Sequence, residues 1–106
     1  MSNESQGVTV KIGRFDLRLA PLEQKDLAFA TDTARRLKAS FNRRLSSEWF
    51  TACRDALGLV FLSSRKNHPS LSLAQLTDSA TQEQTVEALR VVSQVTLENA
   101  LRYGIN

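Results

Sequence analysis

The residues best suited to nucleophilic or acid–base chemistry are scarce in this chain of 106 residues. It contains one cysteine, Cys53, and one histidine, His68, and no motif that would orient the imidazole surrounds His68. The same count excludes a metal site built from several Cys and His ligands. Cys53 falls among apolar residues at helical spacing, so we expect a buried thiol, whereas His68 should close a turn before Pro69. We therefore predict a protein that is not an enzyme, with no catalytic, metal-binding or cofactor-binding residues.

Basic residues concentrate in the middle of the chain. Residues 31–66 contain eight Lys or Arg against three Asp or Glu, although the net charge of the whole chain is only +3. Several cations on one helix face could neutralise phosphates, so a small helical DNA-binding regulator stays open as an alternative function. The low total charge favours a solvated face or a patch for an acidic protein. The cations in question are Arg35, Arg36, Lys38, Arg43 and Arg44.

The elements that carry these residues are predicted from hydrophobic periodicity. Alternating apolar residues on both sides of Gly13 predict a β-hairpin over residues 8–19, which must pack on the helices because an isolated hairpin is marginally stable. Residues 1–6 are polar and are predicted to be disordered. Apolar spacings of three and four predict helices throughout residues 22–103.

Four helices are expected in that region. The first should span about 22–44, the second and most apolar about 47–66, the third a short segment after residue 72, and the last 82–103, with Gly104 as its cap. Two sequences match capping boxes at the starts of the last two helices, Ser72 with Gln75 and Thr81 with Gln84.

These elements predict a mainly α fold, with about four helices packed in one layer pair and a small N-terminal β-hairpin. We expect a single domain over residues 1–106. The alternative is an α+β domain whose hairpin pairs with a strand of a partner chain. The sequence has no run of eighteen apolar residues, no secretory signal and only one cysteine, so we expect a cytoplasmic protein.

The stretch that follows the second helix resembles a known family. The apolar helix ends in a Ser-x-Arg-x-Asn-His-Pro sequence at residues 63–69, which is followed by a leucine-containing short helix and an acidic residue at 73–78. The final helix then contains Val-Glu-Ala-Leu-Arg-Val-Val-Ser at 86–93. Together with the hairpin and the segment 19–22, these features resemble tail assembly chaperones of long-tailed (siphophage-like) bacteriophages, over about residues 8–97.

The resemblance implies a role without catalysis or a cofactor. Chaperones of this family bind the tape measure protein, keep it soluble and promote polymerisation of the tail-tube protein around it. They act in the host bacterial cytoplasm and are not retained in the mature virion. Many are made in two forms, of which the longer arises by ribosomal frameshifting.

The final helix carries more apolar residues than one buried stripe requires. The surplus either covers the hairpin or borders an apolar groove for a partner helix, and both interpretations stay open. A basic rim on such a groove would speed encounter with an acidic helix. Free strand edges and the apolar surplus also favour a homo-oligomer. The candidate partner-binding residues are Val91, Leu97, Leu101, Tyr103, Arg36, Arg43 and Arg44.

Overall fold

The computed structural model describes residues 8–103, with side chains described through Arg102. The predicted disorder of residues 1–6 and the predicted cap Gly104 lie outside the described residues. The fold is mainly α, with four helices and a small N-terminal hairpin, as the sequence predicted. The elements are β1 (Thr9–Ile12), β2 (Phe15–Arg18), a 3-10 turn (Gln24–Asp26), α1 (Leu27–Ser40), α2 (Ser47–Ser64), α3 (Leu73–Ser79) and α4 (Gln82–Tyr103).

A two-residue turn joins the antiparallel strands β1 and β2. Gly13, its first residue, has φ +59°, whereas Arg14 does not have a positive φ, which is the pattern of a type II′ turn. A β-carbon at residue 13 would also collide with Ser79. The Gly13 N–H donates to Gln84 Oε1 over 2.8 Å, so the turn is fixed to the start of α4.

Helix α2 forms the centre of the core. It packs against both α1 and α4, and those two helices hardly touch each other. Trp49, Ala56 and Val60 of α2 are almost completely buried, as are Ile12 and Leu17 of the hairpin. The apolar face of the hairpin therefore lies on the helical body, as its marginal stability alone would require.

Helix α1 (Leu27–Ser40) is shorter than the predicted segment 22–44 at both ends. After Ser40 the chain continues in turns, and the Arg43 N–H donates to the Ser40 carbonyl over 2.8 Å. Before Leu27 the chain is held extended by tertiary hydrogen bonds. The Ala20 N–H donates to the Ser63 carbonyl over 3.0 Å, and the Ser63 hydroxyl donates to the Ala20 carbonyl over 2.6 Å. The Leu22 N–H donates to Thr96 Oγ1 over 3.0 Å. These bonds give the backbone groups of Ala20 and Leu22 partners on α2 and α4, and so fix the extended segment against those two helices.

The Asn67-His68 step holds the outer edge of the hairpin. The Arg18 N–H donates to His68 Nε2 over 2.9 Å, and the Arg18 carbonyl accepts from Asn67 Nδ2 over 3.0 Å. The Leu19 N–H donates to the Val8 carbonyl, so by antiparallel alternation the polar backbone groups of Arg18 point away from β1. The two side chains thus occupy part of the free edge of β2.

Both predicted capping boxes are present. The Ser72 hydroxyl accepts from the Gln75 N–H, and the Gln75 side chain accepts from the Ser72 N–H. Thr81 and Gln84 make the equivalent pair at the start of α4, over 3.0 and 3.2 Å. In the described part of the chain, no helix is both long and apolar enough to cross a membrane.

Candidate partner-binding groove

An open apolar groove runs between α1 and α4, and we call it the α1–α4 groove. It exists because both helices pack on α2 without closing on each other. Ala34 of α1 and Ser93 of α4 lie at its middle; both are exposed, and both side chains are too short to bridge the gap. The first half of α1 lies opposite the last half of α4, so the two walls of the groove are antiparallel.

Two adjoining cavities, of about 460 and 370 Å³, make up the groove. Buried side chains contribute to the larger cavity, among them Leu37, Trp49 and Leu89, and the half-exposed Phe41 lies at its far end. None of the described residues that line the smaller cavity is charged. That lining consists of Leu22, Leu27, Ala30, Thr31, Ala34, Ser93, Thr96, Leu97 and Ala100.

Charge is confined to one end of the groove. Among the described residues, Lys38 and Arg90 are the charged ones that line the larger cavity, and both are cations. Arg90 is paired with Glu87 through a hydrogen bond of 3.0 Å from Nε, and this hydrogen bonding lowers the pKa of Glu87. Lys38 forms no ion pair with any residue that the structure describes. Of the two cations among the described residues that line the larger cavity, Lys38 is therefore the one available to a partner.

The candidate residues on α4 divide among different surroundings. Leu97 is 58% exposed and lines the groove. Leu101 is 78% exposed and follows the last lining residue, Ala100, without lining the groove itself, whereas Val91 is 9% exposed and belongs to the buried core. Tyr103 is the last residue of α4, and its side chain lies outside the described part of the chain.

Arg36 lies away from the groove and joins α1 to α2. Its guanidinium donates to Asp32 over 2.8 Å and to Asp55 over 2.9 Å. Hydrogen bonds from Arg36 and from Arg35 hold the pKa of Asp32 below its usual value. Burial opposes the charged form of Arg36, but the bonds to both carboxylates outweigh it and raise its pKa. Arg36 is thus engaged within the protein.

The other two candidate cations lie near the connection between α1 and α2. Arg43 borders a shallow depression together with Arg36, away from the α1–α4 groove. Arg44 lies over the Phe41 ring, 4.1 Å from its centroid, and 5.6 Å from the Trp49 ring. Arg44 therefore stacks on two aromatic rings next to the larger cavity without lining it.

Cys53 and His68, the two side chains best suited to nucleophilic or acid–base chemistry, each have structural surroundings. Cys53 is buried, and burial raises the pKa of its thiol against a smaller opposing effect of Arg44. His68 Nε2 accepts the Arg18 N–H, which explains why an isolated imidazole lies in a loop. Among residues 8–102, no group of three His, Cys, Asp or Glu side chains could hold a metal ion.

Sequence reasoning missed the residues that shape the groove, which are Ala34, Ser93, Lys38 and Arg90. A signal existed on α1, where Ala30 and Ala34 follow at a spacing of four and lead to Lys38. Small residues within an apolar stripe leave space between helices. The same pattern is also typical of close helix packing, so it does not by itself distinguish a groove from a core.

The shape of the groove suits a third helix laid between α1 and α4. Its wall on α4 extends from Val86 to Ala100, which corresponds to about 21 Å at 1.5 Å per residue. Apolar side chains of such a helix would cover the exposed Phe41 and Leu97. Among known proteins, the chain matches no family model, no characterised protein and no solved structure.

Proposed function

We propose that this protein is a phage tail assembly chaperone that holds a helical segment of the tape measure protein in the α1–α4 groove. It keeps that protein soluble and promotes polymerisation of the tail-tube protein around it. In this role it acts in the host bacterial cytoplasm and leaves before the virion matures. The observation that supports the proposal is the open apolar groove, together with the resemblance carried by residues 63–69 and 86–93.

A holding chaperone must bind apolar surface strongly enough to prevent aggregation and weakly enough to release it. Each aliphatic side chain that a client buries in the groove contributes about 1.5–3 kcal/mol. Association and side-chain ordering offset a large part of the sum from three or four such side chains. A groove of this size therefore fits reversible holding.

Co-expression with the tape measure protein of the same phage tests the proposal. We expect the chaperone to increase the soluble fraction of the tape measure protein, measured after centrifugation of the lysate. Ala34→Leu should abolish the effect, because a leucine at the exposed middle of the groove fills it without disturbing the helix. Ala28→Leu makes the same change at an exposed position of α1 outside the groove, and should behave as the wild type.

Two outcomes would contradict the proposal in different ways. If the tape measure protein is equally insoluble with and without the wild-type chain, the chaperone function is wrong. If Ala34→Leu solubilises it as well as Ala28→Leu does, the function stands but the groove is not its site. Circular dichroism of both variants checks that the helical content is unchanged.

The alternative function is that of a regulator that binds duplex DNA, and no contact among the described residues favours it. Of the cations on the basic segment, Arg35 and Arg36 are already paired with Asp32, and Arg36 also with Asp55. A DNA-binding protein would show affinity that falls steeply with salt, by about 0.9 in logarithmic slope for each neutralised phosphate. A mobility shift with duplex DNA at low salt is the outcome that would favour this class.

A further inference from the structure

We infer that the segment held in the α1–α4 groove is an amphipathic helix of about four turns. Its acidic side chains lie only at the end beside Lys38. This inference rests on the proposed function. The partner is thus described by its chemistry, as an apolar stripe that ends in a carboxylate. Lys38 becomes the residue that selects the charge of the partner.

The length follows from the walls of the groove. One wall extends from Leu27 of α1 to Phe41, the residue that follows this helix, and the other extends from Val86 to Ala100 on α4. Both intervals are fourteen residues apart in the sequence, or about 21 Å of helix. An occupant helix that fills the groove has about the same length. At the middle, the short side chains of Ala34 and Ser93 let its backbone approach closely.

The charge pattern follows from the difference between the two cavities. The smaller one is lined by apolar and uncharged polar residues, and its Thr96 hydroxyl is already used within the protein, since it accepts from the Leu22 N–H and donates to the Val92 carbonyl. A carboxylate buried there would lose its hydration without gaining a partner. In the larger cavity, a carboxylate meets Lys38 and lies near Arg90.

Lys38 carries more of this selectivity than Arg90. The Arg90 guanidinium is paired with Glu87 one turn before it on α4, so its charge is largely compensated within the protein. Lys38 is exposed and has no ion-pair partner in the described part of the chain. An acidic side chain on the occupant would supply that partner.

Two synthetic peptides of about 18 residues test this inference, since shorter isolated helices are marginal in water. Both carry a leucine stripe at helical spacing; one has two glutamates at one end, and the other has two lysines in their place. Fluorescence anisotropy with the full chain at low salt should show the glutamate peptide binding roughly three- to ten-fold more tightly. The preference should shrink as salt is raised.

Charge reversal in the groove provides the sharper comparison. Lys38→Glu should reverse the preference, so that the lysine peptide binds more tightly. Arg54→Glu makes the same change in net charge on an exposed position of α2, where Arg54 also has no ion pair among the described residues, and should leave the preference unchanged. Equal effects of the two variants would mean that net charge acts at long range, and would overturn the assignment of Lys38.

The peptide and co-expression results can fail separately. Absence of binding by both peptides overturns the inferred occupant, even if the tape measure protein is solubilised and the chaperone function stands. The expected peptide ranking without solubilisation of the tape measure protein upholds the groove chemistry and contradicts the proposed function.

Discussion

The two most distinctive residues of the sequence have a structural role. Asn67 and His68 bind the carbonyl and the N–H of Arg18, nearly fifty residues earlier in the chain. They join the hairpin to the end of α2 and occupy backbone groups through which β2 could pair with another strand. The Asn-His-Pro sequence that contributes to the resemblance therefore holds the hairpin in place within the fold.

His68→Ala should lower the free energy of unfolding by about 0.5–1.5 kcal/mol, because the Arg18 N–H loses its acceptor. Thermal unfolding followed by circular dichroism measures the loss. His68→Gln should recover part of it, since the glutamine side chain offers an oxygen at a similar reach. Loss of tape measure binding without any loss of stability would instead place His68 in the partner site.

The sequence predicted that Cys53 is buried and that His68 lies in a turn, but it did not predict the residues that they contact. A single thiol within an apolar helical stripe was expected to be buried, and it is. The partner of His68 could not be predicted, since a hydrogen bond between residues so far apart depends on how the hairpin lies on the helices. Local sequence does not specify that placement.

At the scale of elements, prediction succeeded where the signals were local. Helix α4 spans Gln82–Tyr103, as predicted, because a capping box starts it and apolar periodicity continues without interruption. The start of α1 at Leu22 was wrong. The side chains of Ser63 and Thr96 hold the preceding segment extended, and both come from helices later in the chain. Such competition from tertiary contacts is invisible to periodicity.

Helix α2 contains one residue that weakens it without serving a visible contact. Gly58 lies in the helix interior, and a β-carbon added there would meet no atom within 4 Å other than the neighbouring backbone of its own helix. Gly58→Ala should therefore raise the free energy of unfolding by about 0.5–1 kcal/mol, measured by urea denaturation.

The matched control for that change is Gly13→Ala. It should destabilise the protein, because residue 13 has a positive φ and its β-carbon would collide with Ser79. If Gly58→Ala also destabilises, the space beside Gly58 is occupied in solution by a partner or a second copy. That result would support the homo-oligomer that the sequence predicted.

At the scale of the whole molecule, the groove that was predicted beside the final helix is present, but most of the residues that line it differ from the predicted ones. Surplus apolar residues on α4 indicated an interaction surface, and Leu97 does line a groove. The expected rim residue Arg36 is engaged by Asp32 and Asp55, and Lys38 lies at the groove in its place. Which cation borders a groove depends on how α1 is rotated on α2, and periodicity gives that rotation only approximately.

The apolar residues of α4 can be assigned to core or groove by one substitution at three positions. Val91→Asp should cost roughly 3–5 kcal/mol, because it places an unpaired carboxylate in the core. Leu97→Asp should cost only about 1 kcal/mol, through lower helix propensity and lost contact, yet it should abolish solubilisation of the tape measure protein. Urea denaturation and the co-expression assay separate these two effects.

Leu101→Asp is the comparison that distinguishes binding in the groove from non-specific binding to any exposed apolar residue of α4. Leu101 is more exposed than Leu97 and is not part of the groove lining, although it directly follows Ala100, which is, so its substitution should affect partner binding much less than Leu97→Asp does. If both leucine variants lose binding equally, the partner covers the end of α4 and extends past the groove. If Leu97→Asp unfolds the chain as Val91→Asp does, Leu97 belongs to the core, and the α1–α4 groove is not the surface that a partner uses.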